Sequence, residues 1–312
     1  MRYYLAILYL FLFSLSIFAQ TNLKLDIKYV DKDHDLLADT PTTLEKLIDP
    51  PYLIFAYAPH ESPNLYSNCW SDFVKYLSKV TGKRVVYFPY QTKEAQLEAM
   101  RYGKLHISGF NTGMVPLAVN YAGFHPFAIM ADNQGKYGYT MEIITNKNSN
   151  IKSIYDIKNK KITFTSPGSN SGYRAPQYFL EKEFNLKANI DYEIVLSGNH
   201  SNSIRGVVSG KYSVAAVASS VMQRMINRKE IDANSIVTIY KSKPFPTTAY
   251  GYVYNLKPKL IKKIEYAFLT FPWKDKSGNP SSLKKEFRDK EKFIKIKYKD
   301  IWRDVLEITK RF

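Results

Sequence analysis

Residues 165–176 read TSPGSNSGYRAP. Their centre, Gly168-Ser169-Asn170-Ser171-Gly172, has the small-residue outline of the G-x-S-x-G turn that exposes a nucleophilic serine. Asn170 occupies the place where that serine belongs. Two chemistries are therefore open. One is hydrolysis of an ester or phosphoester by a displaced serine, with Ser171, Asp191 and His200 as the triad in chain order. The other is an anion cradle, in which Ser169 and Ser171 offer hydroxyls, Asn170 an amide, and two glycines bring the backbone close to a ligand. Pro176 has no N–H and disturbs the helix start around it, so the N–H groups of 170–174 are expected to lack intrahelical partners.

Three further loops share this vocabulary: APHESPN (58–64), GFNTG (109–113) and GNHSN (198–202). Each places hydroxyls, amides or small residues just ahead of a helix. Such residues cap helices and form turns. They also surround the positive end of the helix dipole, where anions bind. From these loops Asn111 and Thr112 are candidate contacts in one half of the chain. His200 is a candidate hydrogen-bond donor that could tune a pH response, or else a cap on its own helix. Ser219 and Ser220 follow the strand VAAVA and either touch a ligand or cap a helix. Tyr57 either aims its hydroxyl into a cleft or packs in the core.

The elements that must position these residues alternate strand and helix. Strands are expected at 52–58, 84–88, 105–110, 124–130 and 139–145, with helices at 64–80, 93–102 and 113–121 between them. The pattern then restarts, with strands at 161–166, 192–198 and 213–218 and helices at 171–184, 200–208 and 219–228. Strands at 235–240 and 245–254 follow, then helices near 258–270, 281–288 and 300–311. This order predicts an α/β protein with two lobes, each a mostly parallel sheet flanked by helices. One lobe is assigned to residues 51–145 and 246–312, the other to 146–245, with links near 145–150 and 241–246. In such sheets ligands bind at the carboxyl ends of strands, where all four loops fall.

Residues 1–20, with Arg2 and then a run of apolar residues ending in Ser16-Ile17-Phe18-Ala19, read as a cleavable signal peptide. A polar leader fills 21–50. The apolar run is short for a membrane span, and no later segment is long enough. The single cysteine, Cys69, excludes an intramolecular disulfide, and its helical spacing with Leu65, Phe73, Tyr76 and Val80 turns it toward the core. The leader places Asp31, Asp33, Asp35 and Asp39 at calcium-loop spacing, yet Leu36 and Thr42 stand where an EF-hand needs Gly and Glu. Zinc-type spacing is absent, and no metal or other cofactor is expected. The formal net charge of +17 suits an anionic partner, but the lysines are spread along the chain and nucleic-acid motifs are lacking.

GFNTGMVPLAVNYAGFHPFA (109–128), the SxNSGYRAP helix start (169–176), LSGNHSNSIRGVVSGKYSVAAVAS (196–219) and PFPTTAYG (244–251) together resemble the periplasmic substrate-binding proteins of phosphonate, phosphite and phosphate ABC importers. The resemblance covers nearly the whole mature chain. It implies a type II, two-lobed binding-protein fold closing over a tetrahedral phosphorus oxyanion; the closed form, expected to be a periplasmic monomer, docks on an inner-membrane permease or, as a ligand-sensing module, on a receptor kinase. It implies ligand contacts from Ser169, Asn170, Ser171 and His200, with Tyr57, Asn111 and Thr112 opposite; Ser219 completes the expected set. Ser201 stands where many relatives carry an acidic residue, and Ala218-Ser219 where phosphonate binders often carry Asp or Asn. The missing carboxylate argues against an aminoalkylphosphonate.

Overall fold

The computed structural model describes residues 24–58 and 66–312. The expected signal peptide and most of the loop 58–64 lie outside these residues. The first half runs β1 (Tyr52–Tyr57), α1 (Ser71–Thr81), β2 (Arg84–Tyr87), α2 (Lys93–Arg101), β3 (Ile107–Phe110), α3 (Val115–Ala122) and β4 (Phe124–Ala131). Then come β5 (Tyr139–Asn146), β6 (Lys161–Phe164), α4 (Ala175–Phe184), β7 (Glu193–Leu196), α5 (His200–Val208), β8 (Val214–Ala218), α6 (Ser219–Asn227) and β9 (Ile236–Phe245). The chain closes with β10 (Ala249–Val253), α7 (Pro258–Leu269), α8 (Ser282–Glu286), β11 (Lys292–Lys295), α9 (Tyr298–Ile301) and α10 (Arg303–Thr309).

These strands form two sheets, in the orders β11-β4-β10-β3-β1-β2 and β7-β6-β8-β5-β9. The architecture is α/β, as the alternation predicts. The sheets are mixed: β10 and β11 run against β1–β4 in the first, and β5 runs against the other four strands in the second. The segment 139–145, assigned by sequence to the first lobe, is a strand of the second sheet. Met141 pairs with Ala218 and Thr145 with Val214. An apolar strand pattern does not name its partner, so the crossing falls at 132–138 instead of after 145. The return crossing lies between Phe245 and Ala249, close to its expected place.

One apolar cluster runs through both sheets and includes Phe55, Trp70, Phe73, Phe164, Tyr250 and Phe268. A smaller one, with Ile204, Val217, Val221 and Met225, fills the other face of the second sheet. Helix α1 begins at Ser71, later than the spacing predicts, and ends at Gly82, whose left-handed φ of 72° suits glycine. Cys69 thus precedes the helix but remains buried, and burial pushes its thiol well above the ordinary range. The edge strand β11 lies where the sequence pattern assigns no element, since a four-residue KFIK run carries too little pattern to register, and α8 is shorter than the helix expected over 281–288. Phe73 packs edge-on against Phe268 at 4.6 Å and Phe271 at 5.2 Å. Phe73→Ala should lower unfolding stability by about 3–5 kcal/mol in urea titration, the usual cost of deleting a buried phenyl ring.

Candidate functional site

The site is built on the carboxyl ends of the parallel strands. After β6, the chain turns through Thr165–Gly168 and enters a single π-helical turn, Asn170–Arg174, before α4 begins at Ala175 with Pro176 in its first turn. The proline and the extra residue in the turn belong together, because a wider turn is one way to relieve the ring's clash with the preceding carbonyl. Ser169 caps this turn, its Oγ accepting from Gly172 N at 3.1 Å, and Arg174 N donates to Ser169 O at 3.1 Å. Two of the five N–H groups expected to be free are therefore used. Asn170 and Ser171 stand at the open end, where helix starts leave N–H groups for a ligand. Asn170 Oδ1 is buried without a hydrogen-bond partner among the described residues. A Cβ on Gly172 would meet Thr165 Oγ1 at 2.2 Å and the His200 ring at 2.9 Å, so glycine alone fits between them.

His200 opens α5, with Asn199 rather than itself as the cap: Asn199 Oδ1 accepts from Asn202 N at 2.9 Å. Its Nδ1 accepts from Ala218 N at 3.2 Å. In the neutral ring this fixes the proton on Nε2, which faces Ser169 Oγ at 3.4 Å. Burial, with Lys93 and Arg224 adding repulsion, pushes the imidazole down to about 3. His200 is thus a neutral donor throughout the ordinary pH range, not the pH tuner its type suggests. Two cations stand behind the cradle. Lys93 donates to Ser166 Oγ at 3.0 Å, and burial lowers its amine to about 8, with Glu94 opposing. Arg174 donates to Gly113 O at 3.0 Å.

The facing wall comes from the first sheet. Asn111 Oδ1 accepts from Met114 N at 2.9 Å, which fixes its amide. Thr112 donates its hydroxyl to Pro246 O at 2.8 Å, and its carbonyl accepts from the Trp302 indole at 3.0 Å. The two halves meet backbone to backbone: a Cβ on Gly113 would lie 2.7 Å from Asn170 N and 2.8 Å from Gly168 O. Tyr57, Asn111, Thr112, Ser169, Asn170, Ser171 and His200 all line one cavity of about 380 Å³. Ser219 does not line it. Its Oγ accepts from Thr140 N at 2.9 Å, and Ala218 and Ser220 form the wall there.

Sequence reasoning missed Tyr139, Thr247 and Thr248, which also line the cavity. Tyr139 has its hydroxyl among Thr112, Ser171 and Asn170, and burial raises it above the usual phenol range. It stands at the amino end of an antiparallel strand, which lies beside the carboxyl ends of the parallel ones. The drawn triad is not assembled. The ring atom that would need a carboxylate is occupied by Ala218 N, and Asp191 instead accepts from Lys187 N at 2.9 Å. In the leader, the carboxylates of Asp31, Asp33 and Asp39 come within 4.8 Å of one another, without Asp35. The loop's own N–H groups bond several of these oxygens, Asp35 N and Leu36 N on Asp31 and Lys32 N on Asp39.

Two mixed sheets flanked by helices, with hydroxyl and amide groups converging between them, have the fold of type II periplasmic binding proteins. Residues 55–300 match the periplasmic substrate-binding proteins of phosphonate ABC transporters, and the chain belongs to that family. It is 24% identical over 229 residues to the phosphate-import protein PhnD of Mycolicibacterium smegmatis, covering 70% of this chain and 71% of that one. A binding-protein component of an ABC phosphonate transporter from Pseudomonas aeruginosa superposes with a TM-score of 0.73 at 24% identity, over 84% of this chain and 88% of the other. PhnD1 of Prochlorococcus marinus, solved with methylphosphonate, gives a TM-score of 0.71 at 20% identity, over 84% and 98%. Membership implies a small-molecule ligand, a membrane permease as partner and residence in the periplasm. Among the described residues no helix is long and apolar enough to cross a membrane.

Two outcomes follow from this geometry. Gly113→Ala should prevent the two loops from meeting and weaken ligand binding at least tenfold in calorimetry, while a circular-dichroism melt stays near that of the parent. Between pH 6.5 and 3 the unfolded chain carries a proton on His200 that the folded chain refuses. The unfolded state then binds more protons, so stability rises with pH across that window. His200→Gln should flatten the difference in urea-unfolding free energy between pH 4 and pH 7.

Proposed function

We propose that this chain is the solute receptor of an importer for a tetrahedral phosphorus oxyanion: phosphite, phosphate or a small phosphonate. The observation that carries the reading is the makeup of the cradle. Asn111, Thr112, Tyr139, Ser169, Asn170, Ser171 and His200 are all uncharged, and they meet at a helix start with two buried cations behind it. Neutral donors at a dipole's positive end hold an oxyanion without a salt bridge. The relatives bear on the choice of ligand, one being a phosphate-import protein and another having been solved with methylphosphonate. Asn170 Oδ1, an acceptor lacking a partner among the described residues, suits a P–OH group.

On this reading Tyr57, Asn111 and Thr112 contact the ligand from one lobe, and Ser169, Asn170, Ser171 and His200 from the other. The lobes hinge at the crossings 132–138 and 246–248, the signal segment exports the chain, and the closed monomer docks on its permease. Titration calorimetry with phosphite, phosphate and methylphosphonate should give nanomolar-to-micromolar binding for at least one. Absence of heat with all three overturns the reading. Ser171→Ala and His200→Ala should each weaken binding by about 1–3 kcal/mol, the range for hydrogen bonds to charged groups. Unchanged affinity in both moves the site elsewhere.

A further inference from the structure

The cavity is larger than the oxyanion that its cradle can grip. At about 20–30 Å³ per non-hydrogen atom, bracketed above by the share of one water in the liquid, 380 Å³ accommodates roughly 12–19 such atoms. A phosphate or methylphosphonate has roughly five. The remaining space has a direction. Helix α6 is anchored to the cradle at its start, where Ala218 N donates to His200. Ser220, Gln223, Arg224 and Asn227 all line the cavity. Their spacing of three and four residues is one stripe of a helix, and at 1.5 Å per residue the stripe runs about 10 Å outward from the cradle.

The chemistry of this extension is specific. Tyr57, Tyr250 and Phe287 also line the cavity, and the Arg224 guanidinium lies over the Phe287 ring, 5.6 Å from its centroid. Glu286 lies 2.7 Å from Arg228 and 3.8 Å from Arg224, and Asp289 2.6 Å from Lys290, while Arg288 also lines the cavity. Gln223 Nε2 donates to Asn227 Oδ1 at 3.0 Å, which orients both amides and leaves an acceptor on Gln223 and a donor on Asn227. A hydroxyl group can serve both. We infer that the ligand is a phosphomonoester or phosphonate with a hydroxylated tail of sugar or polyol type, its tail lying along α6 beside the two amides.

This rests on the oxyanion reading, and the test separates the two. The purified protein is titrated with methylphosphonate, glycerol 3-phosphate and glucose 6-phosphate. Affinity should rise along the series, by at least tenfold from first to last. In the double variant Gln223→Ala/Asn227→Ala, both positions being solvent-exposed, the ratio of last to first should fall toward one, and the heat with methylphosphonate reports that the protein is folded. Flat or falling affinity along the series, with methylphosphonate bound, overturns the tail site and leaves the oxyanion reading standing. A rise that the double variant preserves also overturns it, by placing the tail elsewhere. No binding of any probe overturns both.

Discussion

The structure turns on one close approach, that of Gly113 to the backbone of Gly168–Asn170. Two loops from different sheets meet there with no side chain between them. Because they meet, a helix start from each half contributes to one cavity, and Arg174 can cross to the carbonyl of Gly113. The meeting is braced from outside. The indole of Trp302, near the C-terminus, holds the Thr112 carbonyl, and the Thr112 hydroxyl holds Pro246 in the return crossing. The C-terminal segment therefore braces the cradle directly.

The electrostatics of the site follow from burial more than from residue type. A histidine at an anion site is easily read as an imidazolium. Here the Ala218 amide takes one ring nitrogen, and desolvation excludes the second proton. The same desolvation weakens the hold of Lys93 on its proton. Positive potential comes from buried cations behind the cradle and from the helix start, while the cradle's own hydroxyl, amide and imidazole groups are neutral. On the proposed oxyanion reading, that division suits capture and release, since a direct salt bridge would bind the anion more tightly than a receptor that must surrender it requires.

Local sequence determined the local chemistry. The cluster Ser169-Asn170-Ser171, the glycines around it and Pro176 dictate an irregular, donor-rich helix start, because each acts through its own backbone or a neighbour's. The order of strands and helices likewise determined an α/β protein with loops at strand ends. Tertiary structure decided what pairs with what. The apolar run 139–145 reads the same in either sheet, and only its antiparallel ladder with β8 places it in the second. That one choice moved the crossing and put Tyr139 into the site. Thr247 and Thr248 arrived the same way, at the amino end of β10, where Ala249 pairs with Phe110. A search confined to carboxyl ends could not find them, since strand direction is a long-range property. The role of Ser219 was also settled by a distant partner, the Thr140 amide, rather than by its own position at a strand end.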